Sequence, residues 1–212
     1  MKRTHVLIWL VLVGVAGACL AGCFGKPPPV ERYLRVRLAD APCQNANLEQ
    51  RAPLGFKPFK SLENLDKTTV LTARGPVLTP SLQFYWEGAP QDIVGQLVRQ
   101  AIECRSAKYT PVDYQPRVTH AGVLTGQVTA FNVEETSGGR FVVALHLDLW
   151  TQNGRSKVAN GDFSAYAPLE DFRAETVAHA ASEAMGQIVP KILVWLDGTR
   201  DVLEKNNQVH RQ

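Results

Sequence analysis

Four cysteines, at positions 19, 23, 43 and 104, are the residues of this 212-residue chain best equipped for covalent chemistry, and no two of them form a C-x-x-C pair. His146 and Asp148 stand two apart in an alternating segment and so share one face of a strand, close enough to share a metal or a proton. The following strand supplies no evident third ligand, so the pair reads as solvent-facing. His179 and Glu183, four apart on a helix, read as a surface pair. The Gly25-Lys26 dipeptide runs into Pro27, with Leu20 where a phosphate-binding loop needs its first glycine, which excludes a Walker A loop. G-x-S-x-G and H-E-x-x-H are absent. Catalytic, cofactor-binding and metal-binding residues are therefore expected to be none.

The first two cysteines close a leader-like segment. Lys2, Arg3 and His5 precede an unbroken apolar run from Val6 to Ala18. That run is too short for the roughly 20 residues of a membrane-spanning helix and has the layout of a secretory signal. The stretch Leu20-Ala21-Gly22-Cys23 resembles the lipobox of bacterial lipoproteins. There the small residues leave the scissile bond uncrowded, Leu20 fills an apolar pocket, and the Cys23 thiol is the soft nucleophile that takes a diacylglycerol before cleavage. Two or more acyl chains, palmitate among them, anchor stably where one binds reversibly. In lipoproteins an Asp after the modified Cys retains the protein at the inner membrane; Phe24 stands there, which implies sorting to the outer membrane with the domain on its periplasmic face. Gly25 to Pro29 reads as a short, extended, proline-stiffened stalk.

With 23 Lys and Arg against 20 Asp and Glu, and two of the basic residues in the leader, the mature chain is near neutral, which argues against nucleic acid as a partner. A charged fraction of 20% beside 45% hydrophobic residues describes one globular domain. The expected organisation is a signal peptide over 1–22, a lipidated Cys and stalk over 23–30, one domain over 31–200 and a polar, frayed tail over 201–212.

Alternation from Arg32 to Leu38 marks a strand, and short strand-like runs follow at 54–59, 68–73 and 82–86. Pro90 and Asp92 suit a helix's first turn, and Ile93, Val94, Leu97, Val98, Ala101 and Ile102 give that helix one apolar face. Strands from 123–133, 140–150 and 155–166 form a meander, with Asn153-Gly154 as a tight turn. From Asp171 onward, Val177, Ala180, Ala181, Ala184, Met185, Ile188, Ile192 and Leu196 make the stripe of a long helix ending near Gly198. Without strand–helix alternation, the expected fold is α+β: a single antiparallel sheet with two helices packed on one face.

Once Cys19 leaves with the signal and Cys23 carries lipid, Cys43 and Cys104 remain in an oxidising compartment. They can form a disulfide, whose loop closure would stabilise by about 4 kcal/mol. Alternatively, Cys104 continues the Leu97–Ala101 stripe as a small buried residue.

Leu54-Gly55-Phe56 through Leu65-Asp66, Thr69 to Arg74, Leu82-Gln83-Phe84-Tyr85-Trp86 and Pro90 entering a helix, behind a lipobox, resemble the ABC-type transport auxiliary lipoproteins, the PqiC-like family. The resemblance implies a noncatalytic accessory subunit of an envelope lipid transporter, working with an MCE-type substrate-binding protein and an ABC permease and ATPase; whether the chain also forms a homo-oligomer stays open. Phe84, Tyr85 and Trp86 can serve as a partner contact or pack into the core. A structural or assembly lipoprotein of the envelope is the alternative function, and a periplasmic hydrolase with a dispersed site a further one.

Overall fold

The computed structural model describes residues 30–39, 43, 51–65, 67–135 and 138–209. The expected signal peptide, Cys23 and the prolines of the stalk lie outside the described residues.

The element order is β1 (Arg32–Leu34), β2 (Ala52–Phe56), β3 (Lys60–Ser61), a 3₁₀ turn (Glu63–Leu65), β4 (Thr69–Arg74), β5 (Val77–Trp86), α1 (Pro90–Arg105), β6 (Tyr109–Asp113), β7 (Gly122–Glu134), β8 (Arg140–Thr151), β9 (Lys157–Pro168), α2 (Ala174–Gly198) and α3 (Arg200–Val209). The β7–β8–β9 meander is antiparallel throughout. Its second strand alternates: Phe141, Val143, Leu145, Leu147 and Leu149 are buried, and their neighbours lie on the half-exposed face. Both helices bury the stripes read from their spacing, and α1 opens on Pro90 with Asp92 in its first turn.

The fold is α+β with one nine-stranded sheet, but the sheet is mixed, which corrects the expectation of an antiparallel one. One edge of β7 pairs with β8 along its whole length, while the other edge is divided among three parallel partners. Leu54–Phe56 of β2 lie against Gly122–Leu124, Lys60 and Ser61 of β3 against Gln127 and Val128, and Leu71–Ala73 of β4 against Asn132–Glu134. β6 extends the sheet beyond β2, and β5 then β1 extend it beyond β4. Parallel pairing needs a long crossover, and here the crossover is everything between Arg74 and Gly122, α1 included. Short apolar runs carry no mark of strand direction, so the spacing alone could not reveal it. β1 is also shorter than expected: it ends at Leu34, although Val36 remains buried and the Arg37 amide donates to Ser182 Oγ at 3.1 Å.

The C-terminal segment read as a frayed tail is instead largely the helix α3. Leu203 is buried against Gly122, close enough that a Cβ on Gly122 would meet it at 2.8 Å. Asn207 clamps two chain segments: its Nδ2 donates to Ala121 O at 2.7 Å, and its Oδ1 accepts from the Gln152 amide at 3.1 Å. A single buried leucine in a polar segment leaves no periodic stripe to read. Leu203→Ala should therefore cost about 2 kcal/mol in denaturant unfolding and abolish amide-exchange protection over residues 200–209; protection equal to that of the parent chain would contradict this docking.

Candidate functional site

Strand alternation splits the aromatic run at the end of β5. Trp86 is 1% exposed and meets Phe131 and Phe141 edge-on at 4.9 and 5.5 Å. Phe84 is also buried and lies 5.2 Å from Phe172. These two pack into the core, which is one of the two readings the run left open, and so neither is free to serve as a partner contact. Tyr85 points the other way and lies 5.7 Å from Tyr33, its register partner on β1.

Cys43 and Cys104 are joined by a disulfide across a sequence separation of 61. It fastens the segment that follows β1 to the last turn of α1, where Arg105 also donates to Ala39 O at 3.2 Å. Near it stands a residue with no signal in the sequence pattern. Arg51 is buried, and its guanidinium donates to Tyr109 O at 2.7 Å, Glu103 O at 2.9 Å and Ile102 O at 2.6 Å. Its fixed charge thus satisfies carbonyls at the helix's C-terminal end, where the dipole favours a cation. The bridge and Arg51 together tie β2, β6 and α1 into one corner.

On the half-exposed face of β8, the register places Asp162 of β9 opposite His146. His146 Nδ1 is 2.7 Å from Asp162 Oδ1, Nε2 is 3.1 Å from Asp148 Oδ1, and Lys157 Nζ is 2.7 Å from that same oxygen. The next strand thus adds a carboxylate, Asp162, to the His146–Asp148 pair. The hydrogen bond to Asp162, helped by the one to Asp148, raises the His146 pKa above its ordinary 6.5, with partial burial pulling the other way. The arrangement sets the His146 ring between two carboxylates, which favour its protonated form. No group of three or more His, Cys, Asp or Glu among the described residues is placed to hold a metal ion. His179 and Glu183 are exposed on α2, where Glu183 accepts from Gln187 at 3.4 Å.

A groove of about 320 Å³ lies between α1 and the β2–β6 side of the sheet. Phe56 and Phe59 stack at 5.0 Å on its floor, and Gly95 lets the Phe59 ring approach the helix. Arg99 closes one side, 6.0 Å above Phe56 and ion-paired with Asp113. Buried His120 was likewise not singled out by sequence; its ring covers Gly55, where a Cβ would meet it at 3.0 Å. No helix among the described residues is long and apolar enough to cross a membrane.

No family model matches the sequence, and no curated protein matches it. Solved structures share the fold. Protein XCC0632 from Xanthomonas campestris, a DUF330 protein, superposes with a TM-score of 0.65 at 16% identity, covering 85% of this chain and 99% of that one. An uncharacterized protein gives 0.63 at 11% identity over 79% of this chain and 99% of that one. The hypothetical protein CT253 from Chlamydia trachomatis gives 0.50 at 8% identity over 71% and 98%. At these identities the likeness is one of fold, and the class it defines is an α+β domain of the kind found in XCC0632.

Two outcomes follow from this geometry. Replacing both Cys43 and Cys104 with Ser, or adding reductant, should lower Tm by roughly 10 °C, from about 4 kcal/mol of loop-closure stabilisation; an unchanged Tm would show that the bridge constrains nothing. Because the folded pKa of His146 is raised, its contribution to stability is complete below about pH 6.5 and fades as pH rises through the folded value. Thermal melts should show His146→Gln less stable than the parent in mild acid and equal to it in alkali, and a difference that grows with pH would refute this assignment.

Proposed function

We propose that the chain is a lipid-anchored envelope lipoprotein and a noncatalytic accessory subunit of an MCE/ABC-type intermembrane lipid transport system. The observation that carries this reading is the order of its parts: a charged leader, a short apolar run, Leu20-Ala21-Gly22-Cys23, a proline stalk, and then one compact α+β domain beginning at Glu31. Acylated Cys23, followed by Phe24, holds the domain at the outer membrane facing the periplasm. The domain then acts by binding: it docks the MCE-type protein whose conduit works with the permease and ATPase, and it keeps that conduit's end at the bilayer. The Phe56–Phe59 groove with its Arg99–Asp113 rim supports this role, since it offers apolar surface bordered by charge beside a rigid helix.

Affinity purification from host membranes tests the reading. The native chain should stay with the outer-membrane fraction and recover an MCE-type protein with its permease and ATPase, whereas Cys23→Ala should shift the chain to the soluble periplasm. Recovery of a barrel-assembly component or peptidoglycan instead would support a bracing lipoprotein and refute the transport role.

A further inference from the structure

Three large apolar side chains stand unusually exposed close to where the domain's chain begins: Val30 at 79%, Tyr33 at 68% and Leu82 at 78%. Tyr33 and Leu82 belong with Tyr85 to one surface. The parallel register of β1 on β5 sets Tyr33 beside Tyr85 with ring centroids 5.7 Å apart, and the Tyr85 hydroxyl reaches back to Leu82 O at 3.5 Å. The extra residues of β5 between its pairings at Pro80 and Tyr85 carry Leu82 outward, and Ser81 Oγ accepts from the Gln83 and Phe84 amides to hold that bulge. A fixed bulge displaying a leucine beside paired tyrosines is apolar surface the core does not use.

The length of chain before the domain limits what can lie against this edge. From Cys23 to Val30 are seven residue steps, which reach at most about 25 Å when fully extended. A folded domain of this size is about 40 Å across. If Cys23 sits in a bilayer, the tether is shorter than the domain is wide, so the surface around Val30 and β1 is the one brought to the headgroups. Arg32 pairs with Glu175 at 3.2 Å and Arg35 with Glu87, while Glu31 accepts from the Tyr33 hydroxyl at 3.3 Å. A surface of tyrosines and a leucine beside paired arginines suits the headgroup–acyl boundary, where amphipathic aromatic rings concentrate, and not attraction to anionic lipid alone.

We infer that the Tyr33–Tyr85–Leu82 edge lies on the phospholipid headgroup layer beneath the domain's own anchor, so that the membrane holds the domain at two places and fixes its tilt. This rests on the acylation of Cys23 put forward above. The second contact turns a swinging tether into an oriented one, which sets the direction in which the opposite end of the domain presents itself to a partner.

The test uses the acylated full chain in vesicles of phosphatidylethanolamine and phosphatidylglycerol, with Leu82→Cys or Val194→Cys carrying an environment-sensitive fluorophore. With Cys23 acylated and Cys43 bridged to Cys104, the introduced thiol is the one that labels. Val194 is equally exposed but lies nineteen residues along α2 from Glu175, about 28 Å away. The probe at 82 should be quenched by headgroup-labelled lipid several-fold more than the probe at 194, equally at low and high salt, and Tyr33→Ser with Tyr85→Ser should reduce that difference. Equal quenching at both positions in protein that still floats with the vesicles overturns the inference and leaves the anchor standing. So does shielding of position 82 that arises only when an MCE-type protein is added, since the edge would then belong to that partner. Protein that fails to float faults the acylation itself, and the inference falls with it.

Discussion

The division of one edge of β7 is the constraint on which the rest of the domain depends. A central strand must pair on both sides, because buried amide and carbonyl groups left without partners cost as much as lost hydrogen bonds. β8 satisfies one side of β7 completely, but the other is completed only when β2, β3 and β4 arrive in turn. None of those three is long enough to be stable alone, so the N-terminal half of the chain is held in place by the C-terminal meander. Gly122 fits the same requirement: a Cβ there would meet Trp150 O at 2.9 Å as well as Leu203, so the crowded end of β7 tolerates no side chain.

This arrangement separates the two faces of the sheet. The inner face is closed by α1, α2 and the mutually edge-on rings of Trp86, Phe131 and Phe141, and it leaves its apolar residues to packing. The outer face keeps polar side chains such as His146, Asp148 and Asp162, joined across strands in a charge network. The groove beside α1 and the β1–β5 edge next to the start of the folded chain lie at the margins of this sheet.

Much of this was legible from residue spacing, and the remainder was hidden for definite reasons. The stripes Ile93 to Ile102 and Val177 to Leu196 repeat often enough to fix both main helices and their buried faces, and the alternation from Phe141 to Leu149 fixes β8. Strand direction was not legible, because a run such as Leu54-Gly55-Phe56 reads the same whether its neighbour runs parallel or antiparallel. Pairwise events between distant segments were hidden too: Asp162 meets His146 only through strand register, Arg51 reaches Ile102 and Tyr109 only once α1 has turned the chain back, and Leu203 docks without any periodic companion. The aromatic run was visible as aromatic, but its division between core and surface follows from β5's alternation, which places Trp86 inward and Tyr85 outward.

The proposed role turns on the thiol at position 23, and intact-mass analysis of the protein extracted from its host's membranes addresses that thiol directly. The mature chain should begin at Cys23, with a mass that exceeds that of the polypeptide by a diacylglyceryl group and a further acyl chain on the new amino terminus. A polypeptide that still carries the segment from Met1, with no added lipid, would contradict it.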